Sequence, residues 1–373
     1  MDKKQENLLK NLFNYMNDLF IYDSEENKQR CLYPGCNNRA IKSHLYSRAA
    51  MEHLSDENSQ VMANYRKLTR EENQEIPSAE KISIRKASIF WAFCNSHDTI
   101  LFKSFESQYG KTSLFKTSEQ LSDYAYRTMV YYQYNNNKQN KVKDLIGKKI
   151  EKLGLTNLNI DPKIYLDSED LRNGDLNLKN IKEYLENPSD INNNMKHFVI
   201  HLNKSFMFNN NILFNHLVLN NIFTFLSFFE DNIFSEKDIE ILNFKDFWMI
   251  HNILSTENGM YILFTWDKNK EYSKYLENIM IKVNENLSNQ YFKENFLFYL
   301  FSFNLNYLDK IVYSEKINHL YTYAEKRVFL NNMNLIPYSG TKFYICRNIK
   351  RNLILPGHSQ LFKESKIIKS FIL

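Results

Sequence analysis

Glycine is scarce in this chain, with 8 among 373 residues and no Gly-rich stretch. Loops that wrap backbone N–H groups around phosphates depend on glycine, which argues against the common nucleotide-binding folds. Cysteine is rarer still, at 4. A chain of this length buries a sizeable core without covalent staples. So few cysteines fit a reducing compartment, where clustered Cys and His more often bind metal than form disulfides. No apolar run reaches the roughly eighteen residues that cross a bilayer; the richest, 212–229, is broken by Asn215, His216, Asn220 and Asn221. The start, MDKKQENLLKNLFNYM, lacks the apolar core and small-residue cleavage site of a signal peptide. The expectation is a cytoplasmic protein with no membrane partner.

An excess of one charge is also missing. The formal net charge of +5 is too small to name a polyanionic partner. The distribution says more, because Arg30, Arg39, Lys42, Arg48, Arg66, Lys67, Arg70, Lys81, Arg85 and Lys86 crowd the stretch that holds the cysteines. That crowding suits a phosphate-binding face and equally suits a solvated surface.

Apolar and aromatic residues are plentiful, at 43% and 15%, which describes a globular chain. The patterning predicts an α+β protein. Residues 1–30 carry an amphipathic helix over 1–22, with Leu8, Leu9, Leu12, Phe13, Met16, Leu19 and Phe20 at helical steps. Residues 31–110 form a metal module with a polar surface insertion at 56–80. Residues 111–194 form a helical and Asn-rich connection, with helices at 118–134, opened by a Ser cap, and 141–153, and a polar segment between them. From 195 to 373 strand-like runs lead a mixed α+β domain. FWMIHNIL and MYILFTW, joined through Glu257-Asn258-Gly259, give the clearest hairpin signal. Helical patterns return at 272–285, 294–308 and 315–331. Cys346, in KFYICRN, reads as a buried small hydrophobe.

The chemistry concentrates in two local pairs, Cys31-x4-Cys36 and Cys94-x2-His97. Zinc takes four soft or borderline ligands in a tetrahedron, and distant local pairs are a usual way to supply them. Pro34 and Gly35 provide the tight turn that a ligand knuckle needs. Phe93, Ile100, Leu101 and Phe105 suggest a helix beginning beside the second pair. The four residues are therefore expected to hold one structural Zn²⁺. A knuckle, a short hairpin and a helix whose first turn supplies the last ligands is the treble-clef (ββα-metal-like) arrangement.

Just beyond the knuckle stands Ala40-Ile41-Lys42-Ser43-His44, and just beyond the second pair stands Asp98. Residues 31 to about 106 resemble the HNH, or His-Me finger, nuclease module. They also resemble uncharacterised bacterial proteins with a Ser-His element and a Phe-Cys-x2-His-Asp-x3-Phe element. On that pattern Ser43-His44 takes the place of the His pair or Asp-His, and Asp98 that of the metal-binding His. Ser88 and Asn95 lie near the position of the family's middle Asn.

The resemblance implies an endonuclease acting on DNA or RNA, with His44 as general base and Asp98 on a catalytic Mg²⁺ or Mn²⁺. It also implies a bacterial antiphage or toxin-like effector whose carboxy-terminal domain recognises a substrate, a protein partner or a signal. The residue types leave other roles open. His44 can be structural or capping, and Asp98 can be a charge at a helix amino terminus. The rival function is a non-catalytic zinc module that binds nucleic acid or protein. His197 and His201 lie at i and i+4, a helical ligand spacing, but in a strand-like run, where they share one face without making a metal pair; His53, His216, His251, His319 and His358 have no local partners and are read as structural.

Overall fold

The computed structural model describes residues 7–12, 14–15, 29–68, 75–106, 115, 117–155, 169–203, 212–219, 246–257, 259–288 and 311–317. The chain is mixed α+β, with helices and antiparallel sheets. It divides into two units. The first comprises Met1–Arg48 and Asn64–Asn193, the second Ala49–Ala63 and Asn194–Leu373.

The first unit is organised by the knuckle. Cys36 N–H donates to the Tyr33 carbonyl at 3.1 Å, and Gly35 between them has a φ of 75°. With Pro34 before it, this is a type II turn, whose third residue needs the left-handed conformation that glycine adopts freely. The turn closes a narrow hairpin in which Arg30 and Arg39 are bridge partners. Two bonds between residues distant in sequence sew this hairpin to the approach to the second ligand pair: Leu32 N–H to the Ala92 carbonyl and Ile41 N–H to the Phe93 carbonyl, both 2.7 Å.

Strand β1 (Ser43–His44) then pairs antiparallel with β4 (Ile89–Phe90), with Ser43 opposite Phe90 and His44 opposite Ile89. Between them run β2 (Gln60–Leu68) and β3 (Glu75–Ser83), neighbours in a sheet. The stretch 56–80 is therefore largely strand rather than a plain surface insertion. Its Glu, Asn and Gln content masks the buried triplet Val61, Met62 and Ala63 that anchors it.

Helix α1 (Asn95–Glu106) starts directly after Cys94 and packs on α2 (Ser118–Lys152). The aromatics of α2 are core. Phe93 stacks edge-on with Phe102 at 5.1 Å between centroids, and Phe90 meets Tyr131 at 5.4 Å and Tyr134 at 6.0 Å. Helix α2 corrects two expectations. Its cap is Thr117, whose Oγ1 accepts from Gln120 N–H at 3.3 Å, one residue before Ser118. It also runs unbroken through the polar segment 135–140. That segment holds no Gly or Pro, and asparagine costs only about 0.6 kcal/mol per position. Anchored packing on both sides outweighs this.

Near the far end of α2, Ile146, Ile150 and Leu155 enclose Leu12, with Leu8, Leu9 and Tyr15 packed around them. This is the apolar face expected of the amino-terminal helix, helical here over 7–12. Helix α3 (Glu169–Glu186) lies against α2.

In the second unit β5 (Met195–Asn203), β6 (Ile212–Leu219), β7 (Trp248–Thr256) and β8 (Gly259–Asp267) match the strand-like runs where these are described; the parts of the runs at 204–208 and 220–229 lie outside the described residues. The expected hairpin is there, with Thr256 paired to Gly259. Every residue of β7 and every residue of β8 is buried, which explains their continuous apolar reading. Helix α4 (Ser273–Asn286) buries Leu276, Ile279, Met280 and Val283, one residue out of step with the expected 272–285. Strand β9 (Ile311–Tyr313) lies between β2 and β6. Its three residues are too few for a period-two signal. Residues 315–317 form a 3-10 turn rather than the opening of a helix. The expected helix 294–308, the rest of 315–331, Cys346, His319 and His358 lie outside the described residues. Among the described residues no helix is long and apolar enough to cross a membrane.

Candidate metal centre and the adjoining histidine

Four ligand atoms, one each from Cys31, Cys36, Cys94 and His97, lie within 4.8 Å of one another. Cys36 Sγ is 3.9 Å from Cys94 Sγ, and His97 Nδ1 is 3.5 Å from Cys31 Sγ and 3.3 Å from Cys94 Sγ. A zinc tetrahedron has edges of about 3.8 Å between sulfurs and about 3.5 Å from sulfur to nitrogen. The donor set therefore fits a metal ion such as zinc. Local structure explains the convergence. The type II turn presents Cys36, the hairpin returns beside Cys31, and Cys94 and His97 flank the first turn of α1, where Asp98 N–H donates to the Cys94 carbonyl at 2.9 Å. Tyr33 stacks on the His97 ring at 4.0 Å, which fixes the ring plane.

The two buried thiols differ. Burial pushes Cys31 up to about 11, against backbone hydrogen bonds from Cys94 and Tyr33. At Cys94 burial also acts upward, but the His97 backbone and the side chains of Cys36, His97 and Cys31 outweigh it and bring the thiol down to about 6. A thiol at a helix amino terminus is a ready thiolate, the form that binds metal.

A second group of side chains adjoins this centre, because consecutive residues on a helix point about 100° apart. His97 faces the thiols, and Asp98 faces away, towards α2. Asp98, Phe102 and Glu106 recur every fourth residue, and Arg127 of α2 lies along that ridge. Its Nη2 is 2.9 Å from Glu106 Oε1 and 4.0 Å from Asp98 Oδ1, and its guanidinium carbon sits 3.7 Å from the Phe102 ring centroid. Arg127 is 1% exposed.

His44, on β1, belongs to the same group electrostatically. Burial lowers its pKa, a hydrogen bond with the Ile84 backbone raises it, Arg127 lowers it, and Asp98 and Glu106 raise it; the net direction is down. Its Nε2 is buried and has no hydrogen-bond partner among the described residues. Ser43 is buried, and its Oγ likewise lacks a partner among the described residues.

The remaining candidates take no such part. Ser88 has a positive φ of 54°, and its carbonyl accepts the Leu45 N–H at 2.8 Å, extending the β1–β4 ladder. Asn95 is exposed at the start of α1. His197 and His201 stand on β5, with His197 Nδ1 2.9 Å from Thr265 Oγ1 and His201 stacked on Tyr261 at 4.5 Å. In the backbone register of β6 and β7, His216 is the partner of His251. The sequence reading passes over Arg127, although one cation inside the apolar run YAYRTMVYY is a signal of a buried charge.

Comparison of the chain with family models, with curated proteins and with solved structures finds no match. The functional reading rests on the site alone.

Proposed function

We propose that the chain is a metal-dependent endonuclease of the HNH, or His-Me finger, type. In this reading the knuckle hairpin and α1 are a treble clef closed by a structural Zn²⁺ on Cys31, Cys36, Cys94 and His97. One observation carries the proposal: on β1, His44 holds a buried Nε2 with no hydrogen-bond partner among the described residues, within the field of Asp98.

A histidine so arranged can take a proton from a water molecule attacking phosphorus. Asp98 offers a hard carboxylate oxygen that would hold Mg²⁺ or Mn²⁺, which when bound neutralises charge developing on the phosphate oxygens. Ser43, where the family pattern carries an acid or histidine, offers only a hydroxyl. The polyanionic partner would be DNA or RNA. Arg30, Arg39, Lys42, Lys81, Arg85 and Lys86 are all exposed on the first unit, which supports such a partner. A cytoplasmic antiphage or toxin-like effector, with the second unit recognising a protein partner or signal, follows from the resemblance.

The Asp98–Arg127 pairing favours a second reading, a non-catalytic zinc module that binds nucleic acid or protein. Incubation of the purified chain with plasmid DNA and with RNA, with and without Mg²⁺ or Mn²⁺, separates the two. The enzyme reading expects divalent-dependent cleavage, weakened in its metal dependence by Asp98→Ala. Binding without cleavage of either polymer under any of these conditions supports the second reading.

A further inference from the structure

Arg127 is the least expected feature of the first unit. Its guanidinium is buried, lies over the Phe102 ring and commits Nη2 to Glu106, while Nε and Nη1 have no hydrogen-bond partner among the described residues. Leaving charged donors dry and unpaired is costly, and a structural arginine would be expected to spend them on carbonyls or carboxylates. Asp98 Oδ1 and His44 Nε2 likewise lack hydrogen-bond partners among the described residues.

We propose that Arg127 binds a non-bridging oxygen of the substrate's phosphodiester through Nε and Nη1, making it a catalytic residue supplied by α2 from outside the metal module. The inference rests on the nuclease reading of His44 and Asp98. The charges support it. Asp98, Glu106 and Arg127 together carry one negative charge while His44 is neutral. A divalent cation at Asp98 turns that to one positive charge, and a phosphodiester anion brings it to zero. The cation and the phosphate are therefore coupled ligands, each favouring the other. Planar guanidinium geometry suits a phosphate oxygen better than an ammonium does.

The test uses the full-length chain carrying His44→Ala, so that the probe survives, and a short fluorescent DNA oligonucleotide read by anisotropy with Mg²⁺ or with EDTA. Affinity should be higher with Mg²⁺. Adding Arg127→Lys, which keeps the charge that Asp98 and Glu106 need, should weaken binding about tenfold and shrink the Mg²⁺ effect. Adding Glu106→Gln instead frees Nη2 and removes a negative charge, so binding should tighten and depend less on Mg²⁺. If both variants keep their zinc and bind as the parent does, or if the parent does not bind, Arg127 is not a phosphate ligand. Failure of the nuclease reading registers separately, as absence of cleavage by the chain with His44 intact.

Discussion

His97 and Asp98 are neighbours in the first turn of α1 yet serve different groups: His97 Nδ1 lies 3.3 Å from Cys94 Sγ, and Asp98 Oδ1 lies 4.0 Å from Arg127 Nη2. Whatever fixes the helix start against the thiols also fixes the carboxylate beside His44. A metal ion held by the Cys31, Cys36, Cys94 and His97 cluster would thus position the second group, and the two should fail together when the cluster is dismantled but separately when the second group alone is changed.

The purified protein should contain about one zinc per chain, measured by plasma emission, and Cys31→Ser or Cys94→Ser should lower that content. Ligand loss should expose the first unit to limited proteolysis before the second, since metal binding adds to folding free energy where the ligands are. Acidification should release the ion, because protons compete for the thiolates and the imidazole. Zinc-free protein that is equally protease-resistant would contradict this.

Acid should also weaken the second unit. His251 is fully buried, and burial lowers its pKa to about 3; burial lowers His197 to about 4. Each folded value lies below the ordinary value of 6.5, so the unfolded chain binds more protons and stability falls as pH drops from about 6.5 towards 4 and then 3. The slope approaches about 1.4 kcal/mol per pH unit for each histidine. Melting of the second unit at pH 7.5 and pH 5 should show the fall, and His251→Phe should reduce it. An unchanged pH dependence in that variant would mean that His251 is not the titrating group.

Gly259 should not tolerate a side chain. Its φ is 140°, and an added Cβ would run into the Leu202 carbonyl of β5 and the His201 ring. Gly259→Ala is expected to cost at least about 2 kcal/mol, from strain and displacement together. Chemical denaturation of that variant is the check, with a midpoint near that of the parent as the contrary result.

The Cys and His cluster is legible in the sequence because its four residues fall in two local pairs, and Pro34-Gly35 declares the turn of the first. The strands of the second unit are legible because β7 and β8, buried throughout, carry apolar residues on both faces, with only a few buried polar side chains among them. Three features are hidden for physical reasons. The Val61–Ala63 anchor is only three residues long within polar sequence. The continuity of α2 comes from packing at both ends, which no local asparagine propensity reports. Arg127 meets Asp98 and Glu106 only because α1 and α2 pack together, and tertiary contacts between helices leave no spacing to read.

The central claim is that His44 acts as a base beside an intact metal centre, and single-turnover cleavage of a nucleic-acid substrate by His44→Ala tests it most directly. With zinc content and far-ultraviolet circular dichroism equal to those of the parent, the rate should fall by on the order of a hundredfold or more while substrate affinity stays within a fewfold. Cleavage at the parent rate by a zinc-loaded His44→Ala protein would contradict the account.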